Sequence, residues 1–209
     1  MSDYGDLTSK ILDDLHRDDL TSQVSLAIQS AIDFYGGERF WFNEARATAS
    51  TQSGQEFYDL PDDFVDIDSL IITINNYSYP LIQRDYQQTD SWYVSSNNYT
   101  GYPSDFAIYE EQLRLYPIPN GTYTMTISYQ KRLADLSASG DSNAWTNQAR
   151  NLIRFYADAD VSLNTLQDDD RFATFKAQEG TELMRLRSEA QRRVMRGKTR
   201  KRNYPTYRW

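Results

Sequence analysis

A single histidine, His16, is the one side chain in this sequence whose ordinary pKa suits proton transfer near neutrality. It lies in a short polar link, residues 16–19, between two stretches of helical apolar spacing, and a surface or capping position fits it better than a base. A Ser-His-Asp site would depend on this residue alone, and no Gly-x-Ser-x-Gly turn accompanies it. Carboxylates offer other chemistry. Asp62, Asp63, Asp66 and Asp68 could supply the acid pair of glycoside cleavage, but they alternate where a strand-like run begins, which puts them on its wet side. Asp158, Asp160 and Asp168 to Asp170 are close in sequence, yet they lack the glycine and the twelfth-position glutamate of a calcium loop. Capping and solvated faces suit them better. There is no Gly-x-x-x-x-Gly-Lys-[Ser/Thr] phosphate loop, no Gly-x-Gly-x-x-Gly, and no cysteine for thiolate metals or disulfides. The residues point to a protein that is not an enzyme, with no metal and no cofactor.

The more informative chemistry is charge. The chain holds 22 Lys/Arg and 30 Asp/Glu, a net charge of -8. Ten of the 22 basic residues fall between Arg185 and Trp209 beside one acid, Glu189, so that segment carries about +9. Residues 1–184 keep 12 basic and 29 acidic groups, about -17. A basic tail on an acidic body suggests a segment that leaves its own domain and docks elsewhere. It ends Asn203-Tyr204-Pro205-Thr206-Tyr207-Arg208-Trp209, rich in the residue types that anchor interfaces. Arg192, Arg193, Arg196, Lys198, Arg200, Lys201 and Arg202 could contact phosphates, but the acidic body repels a polyanion, so specific DNA readout is not expected. Sixteen tyrosines suit a sheet or a half-wet interface. No apolar run reaches the roughly 20 residues of a membrane span, and Met1 to Asp6 does not read as a signal peptide.

Three zones position these residues. Leu7, Ile11, Leu12 and Leu15 recur at helical spacing, and Leu20, Val24, Ala27, Ile28, Ala31, Ile32 and Tyr35 form a second stripe. Thr21 or Asp19 is expected to cap the second helix, and Gly36-Gly37 to end it in a left-handed stop. From about Arg39 to Leu133 the pattern is β: Phe40 to Phe42, Glu56 to Leu60 and Ser69 to Ile74 read as strands. Asn75-Asn76 reads as a hairpin turn into Tyr77 to Leu81. Phe106 to Tyr109 and Gln112 to Tyr116 flank Glu110-Glu111, and Pro117 to Gly121 is a turn. Thr122 to Tyr129 alternates, with Tyr123, Met125, Ile127 and Tyr129 on one face. Residues 85–105 suit a short helix and a loop. A helix is then expected over Asn147 to about Leu166, and another, capped by Asp168 to Asp170, through Phe172, Phe175, Glu179, Leu183, Leu186 and Ala190 to Val194, stopping near Gly197. The expected fold is α+β: a bundle of about four helices with an inserted antiparallel β domain and an extended basic C-terminal arm. The expected segments are 1–38 (helical hairpin), 39–135 (β insert), 136–196 (completing helices) and 197–209 (arm).

Four motifs in this order carry a resemblance: Tyr58-Asp59-Leu60-Pro61-Asp62-Asp63-Phe64; Gly101-Tyr102-Pro103-Ser104-Asp105-Phe106-Ala107-Ile108; Leu113-Arg114-Leu115-Tyr116-Pro117-Ile118-Pro119-Asn120-Gly121-Thr122-Tyr123, then Tyr129; and the helix 147–166 followed by Gln167-Asp168-Asp169-Asp170-Arg171. Taken together, from Leu7 to about Val194, the chain resembles the head-to-tail adaptor (connector) proteins of tailed bacteriophages. The resemblance implies a structural virion protein at the capsid–tail junction, assembled in the bacterial cytoplasm. It implies a ring, commonly of twelve copies, between the portal and the tail nozzle or tube, through which packaged DNA passes. In some members a C-terminal arm reaches the portal. Here that role would fall on Arg196, Lys198, Arg200, Lys201, Arg202, Tyr204, Pro205, Tyr207, Arg208 and Trp209. Tyr77, Tyr79, Trp92, Tyr93, Tyr99 and Tyr102 would face ring neighbours or the tail. A different reading of the same tyrosines is a β binding module for carbohydrate or protein, as on a tail fibre.

Overall fold

The computed structural model describes residues 2–96 and 99–195. The helices are α1 (Tyr4–Leu15), α2 (Thr21–Gly36), α3 (Tyr86–Ser96), α4 (Ala144–Asn147), α5 (Arg150–Val161) and α6 (Asp169–Met195). With several β-sheets beside them the chain is α+β. It divides into two compact units, one formed by the residues up to Phe42 and from Leu133, the other by Asn43–Arg132.

The first unit is helical. Asp3 opens α1 in a capping box: Asp6 N–H donates to Asp3 Oδ1 at 2.7 Å while Asp3 N–H reaches Asp6 Oδ2 at 3.4 Å. Leu7, Ile11 and Leu15, four residues apart, form its buried stripe. His16 closes it in a left-handed conformation (φ 52°) with its N–H on Asp13 O, so the histidine acts through its backbone.

The stripe of α2 is the expected one, but its ends are not. Leu20 occupies the N-cap without a side-chain bond, and Asp19 instead accepts from Arg17 at 2.7 Å. Burying Leu20 in the core outweighs the missing cap. Gly37 is right-handed (φ −83°), so the helix stops without using glycine's left-handed freedom. Phe40 to Phe42 do not form a strand. Trp41–Asn43 is a 3-10 turn, because adjacent aromatics that share one core cannot alternate. Phe40 stacks on Phe42 at 5.1 Å, and Trp145 of α4 meets both edge-on at 6.0 and 5.4 Å.

The helix expected over 147–166 is α5 followed by a π-helical turn, Ser162–Leu166, closed by left-handed Gln167 (φ 54°), and the short α4 precedes it. Asp168 then caps α6, its Oδ1 accepting from Arg171 N–H at 3.0 Å. α5 packs against α1, α2 and α6. Its Leu152, Ile153, Ala157 and Val161 join Leu186 of α6 in one core.

The second unit holds strands β1 (Glu44–Ser50), β2 (Phe57–Asp59), β3 (Phe64–Ile74), β4 (Tyr77–Pro80), β5 (Ile82–Gln83), β6 (Thr100–Gly101), β7 (Asp105–Tyr109), β8 (Gln112–Tyr116), β9 (Ile118–Pro119) and β10 (Thr124–Lys131). They form sheets ordered β1-β10-β3-β4, β2-β8-β7-β5 and β6-β9. Most pairings are antiparallel, but β5 joins β7 and β6 joins β9 in parallel. The hairpin turn at Asn75-Asn76 has both residues at positive φ (49° and 68°), as a two-residue turn between right-twisted strands requires. Glu110-Glu111 makes the same turn between β7 and β8 (φ 50° and 60°). Leu70, Ile72, Met125, Ile127 and Tyr129 from the first sheet share a core with Phe106, Leu113 and Leu115 from the second.

Candidate interaction surfaces

The residues with catalytic types stay apart. His16 is exposed at the end of α1. Asp63 accepts the Tyr129 hydroxyl at 2.8 Å, and burial together with this carboxylate pushes the phenol up to about 12. Asp66 accepts the Ile67 N–H at 2.9 Å. Asp62 joins Asp59, Glu110 and Glu111 around a cleft of about 520 Å³. All four carboxylates are exposed. Among the described residues, no three His, Cys, Asp or Glu side chains converge on a point that could hold a metal ion.

Tyrosines converge instead. Tyr77 and Tyr79 lie two apart on β4, an edge strand, and so share a face. With Ile82 of β5 and with Tyr102 and Pro103 they line a groove of about 570 Å³ that no charged side chain borders. Tyr77 is 69% exposed, Tyr102 57% and Ile82 55%, an unusual apolar outlay for one small patch. The sequence names Tyr77, Tyr79 and Tyr102 but not Ile82 or Pro103.

The remaining tyrosine-zone candidates divide. Tyr99 is exposed and does not line the groove. Trp92 is half-buried, 5.0 Å from the Tyr116 ring, with the Arg84 guanidinium 5.9 Å above it. Tyr93 must be corrected from surface to core: it is 4% exposed and its hydroxyl donates to the Leu115 carbonyl. Burial, then the nearby Glu56 charge, drives its pKa upward.

Tyr93 belongs to a node that sequence reasoning missed. Arg114 on β8 lies on the face opposite Leu113 and Leu115 yet is only 7% exposed at the side chain. Its guanidinium lies 4.1 Å from the Tyr93 ring, 5.0 Å from Tyr86 and 5.3 Å from Phe57. It donates to Glu56 and, at 2.9 Å, to Asp90 of α3. Burial opposes the charge, but the bonds to Asp90 and Glu56 outweigh it and raise the pKa. Arg114 therefore pins α3 to the second sheet.

The basic excess is less uniform than a count from Arg185 implies. Arg185 pairs with Glu182 and Glu189, Arg187 with Glu38, and Arg193 with Glu189 at 2.8 Å while stacking on Trp41 at 4.4 Å. Arg192 donates to the Ser188 carbonyl at 3.3 Å. Three of the four arginines at the described end of α6 are thus paired with acids, two on α6 itself and one, Glu38, from elsewhere. Residues 196–209 hold no Asp or Glu, so the basic excess of the sequence is concentrated there. The arm candidates Arg196, Lys198, Arg200, Lys201, Arg202, Tyr204, Pro205, Tyr207, Arg208 and Trp209 lie outside the described residues.

No curated protein matches the chain significantly. The sequence model of the SU10 adaptor protein family matches residues 2–202. That span takes in nearly all of the helical unit and the tyrosine groove, and the chain belongs to this family of phage head–tail adaptors.

Proposed function

We propose that this adaptor forms a closed ring, of twelve copies, that joins the capsid portal to the tail nozzle or tube and surrounds the DNA passage. The observation that carries this reading is the family match across residues 2–202. A ring is a heterologous assembly, so each copy needs two different complementary faces. The uncharged groove of Tyr77, Tyr79 and Tyr102 has the composition of one such face, met by a neighbouring copy or by the tail. The basic terminus from Arg196 to Trp209, which holds no acidic residue, serves as the arm that reaches the portal. Its cations and aromatics supply steering and anchors, and ordering on contact lets a short segment tie two preformed rings. The acidic remainder lets DNA slide past without base readout or retention.

Deleting residues 197–209 and measuring attachment to purified portal tests the arm. Loss of attachment with an unchanged circular dichroism spectrum is expected; undiminished attachment would remove the arm assignment. The exposed tyrosine groove also favours a second reading, a saccharide-binding module of a tail component. Strong signal on a glycan array without portal affinity would select it.

A further inference from the structure

The helical unit contains a buried acid that none of the roles above uses. Asp158 on α5 has no solvent exposure. With every carboxylate ionised, neither of its oxygens has a hydrogen-bond donor. The nearest cation, Arg154 one turn back, stands 3.9 Å away and gives its Nε–H to Asp14 of α1 instead. Lys10 also turns to Asp14, at 3.3 Å. Asp14 therefore takes both cations, and Asp158 faces an anion from inside the core. Other neighbours of α5 offer no relief. α4 and the π-helical turn contain no titratable side chain. The charged pair from α6, Lys176 and Glu179, is spent on Tyr156 and on the Tyr35 hydroxyl of α2. A bare carboxylate in such a place costs several kcal/mol, and a neutral carboxyl that donates to its neighbour does not.

We propose that α1 and α5 are latched by one proton shared between the carboxyl groups of Asp158 and Asp14, and that the latch opens when this proton leaves. The pair then works as a pH-sensitive conformational device in the helical unit: closed at neutral pH, loosened on the alkaline side. Burial first, then the Asp14 charge, raises Asp158 from 3.8 to about 8, against the opposing pull of Arg154 and Lys10. The direction of the stability effect follows. An unfolded chain ionises this group near 3.8, whereas the folded chain keeps the proton to about 8. Between those values the folded state binds more protons, so stability falls as pH rises, and the whole penalty is in place above the upper value. Paired surface carboxylates behave the opposite way.

The test is urea unfolding of the full chain from about pH 5 to pH 9, for the wild type and Asp158→Asn. The wild-type folding constant is expected to fall with pH by up to about tenfold per unit from this group. Asp158→Asn, whose amide donates to Asp14 without ionising, is expected to remove that slope and to exceed the wild type at the alkaline end. Parallel slopes would overturn the latch. Should the variant not fold, carbon-13 NMR of the wild type decides: an Asp158 carboxyl titrating at about 8 supports the latch, and one titrating near the ordinary carboxylate value of about 4 overturns it.

Discussion

Arg114→Met in the full chain tests whether one buried cation holds α3 on the second sheet. Methionine keeps most of the aliphatic stem but removes the charge. Three consequences add. Glu56, 23% exposed, loses its partner, and breaking a buried pair this way costs about 3–5 kcal/mol. The Asp90 contact contributes at most about 1 kcal/mol, because that carboxylate is 53% exposed. Stacking on Tyr93 at 4.1 Å contributes about 1 kcal/mol more. Discounted for solvent that reaches Glu56, the sum is about 4 kcal/mol. Hydrogen exchange with mass spectrometry localises the effect. Peptides covering 86–96 and 105–116 should exchange up to about a thousandfold faster, while those of α1 and α2 remain protected. Arg114→Lys should lose about half as much, since it retains charge but not the flat, two-pronged donor. Replacing Arg114 and Glu56 together with apolar residues should recover much of the loss. Unchanged exchange over 86–96 in Arg114→Met would refute the node.

Other outcomes follow from single contacts. Tyr35→Phe removes the hydroxyl that donates to buried Glu179 and should cost about 1–3 kcal/mol in urea unfolding of the helical unit. Leu186→Ala empties a fully buried site shared by α5 and α6 and should cost about 2–5 kcal/mol in the same assay. Glu111→Gly relieves a positive φ of 60° and should stabilise by about 0.5–1 kcal/mol, read as a higher melting temperature. In an ultraviolet titration Tyr129 should ionise at about 12, above the ordinary tyrosine value of about 10. Its contribution to stability is present below the unfolded tyrosine pKa and is lost as pH rises through that upper value.

The helical stripes were legible because apolar spacing in α1 and α2 is set by burial, which the sequence encodes directly. Leu7, Ile11 and Leu15 and the run from Val24 to Tyr35 lie where periodicity places them. The Asn75-Asn76 hairpin was legible because few residues accept two positive φ angles. Strand β1 was not, since Glu44-Ala45-Arg46-Ala47-Thr48-Ala49-Ser50 has little β propensity and is held by its register with β10. Phe40 to Phe42 misled because a run of aromatics does not say which core it joins. At the candidate surfaces, exposed Tyr77, Tyr79 and Tyr102 were readable as tyrosines in a turn-rich stretch. Arg114 was not, because a basic residue between leucines looks like the outward position of an alternating strand. Nor was Asp158, whose burial arises from three helices packing on α5 and leaves no trace in local spacing. Nor does a charge count show that Arg185, Arg187 and Arg193 pair with Glu182, Glu38 and Glu189.

The most direct measurement is a cryo-microscopy reconstruction of the virion that carries this protein. The account predicts density for the helical and β units as a ring at the capsid–tail junction, with the residues after Arg196 ordered against the portal. Particles whose junction lacks the chain would contradict it.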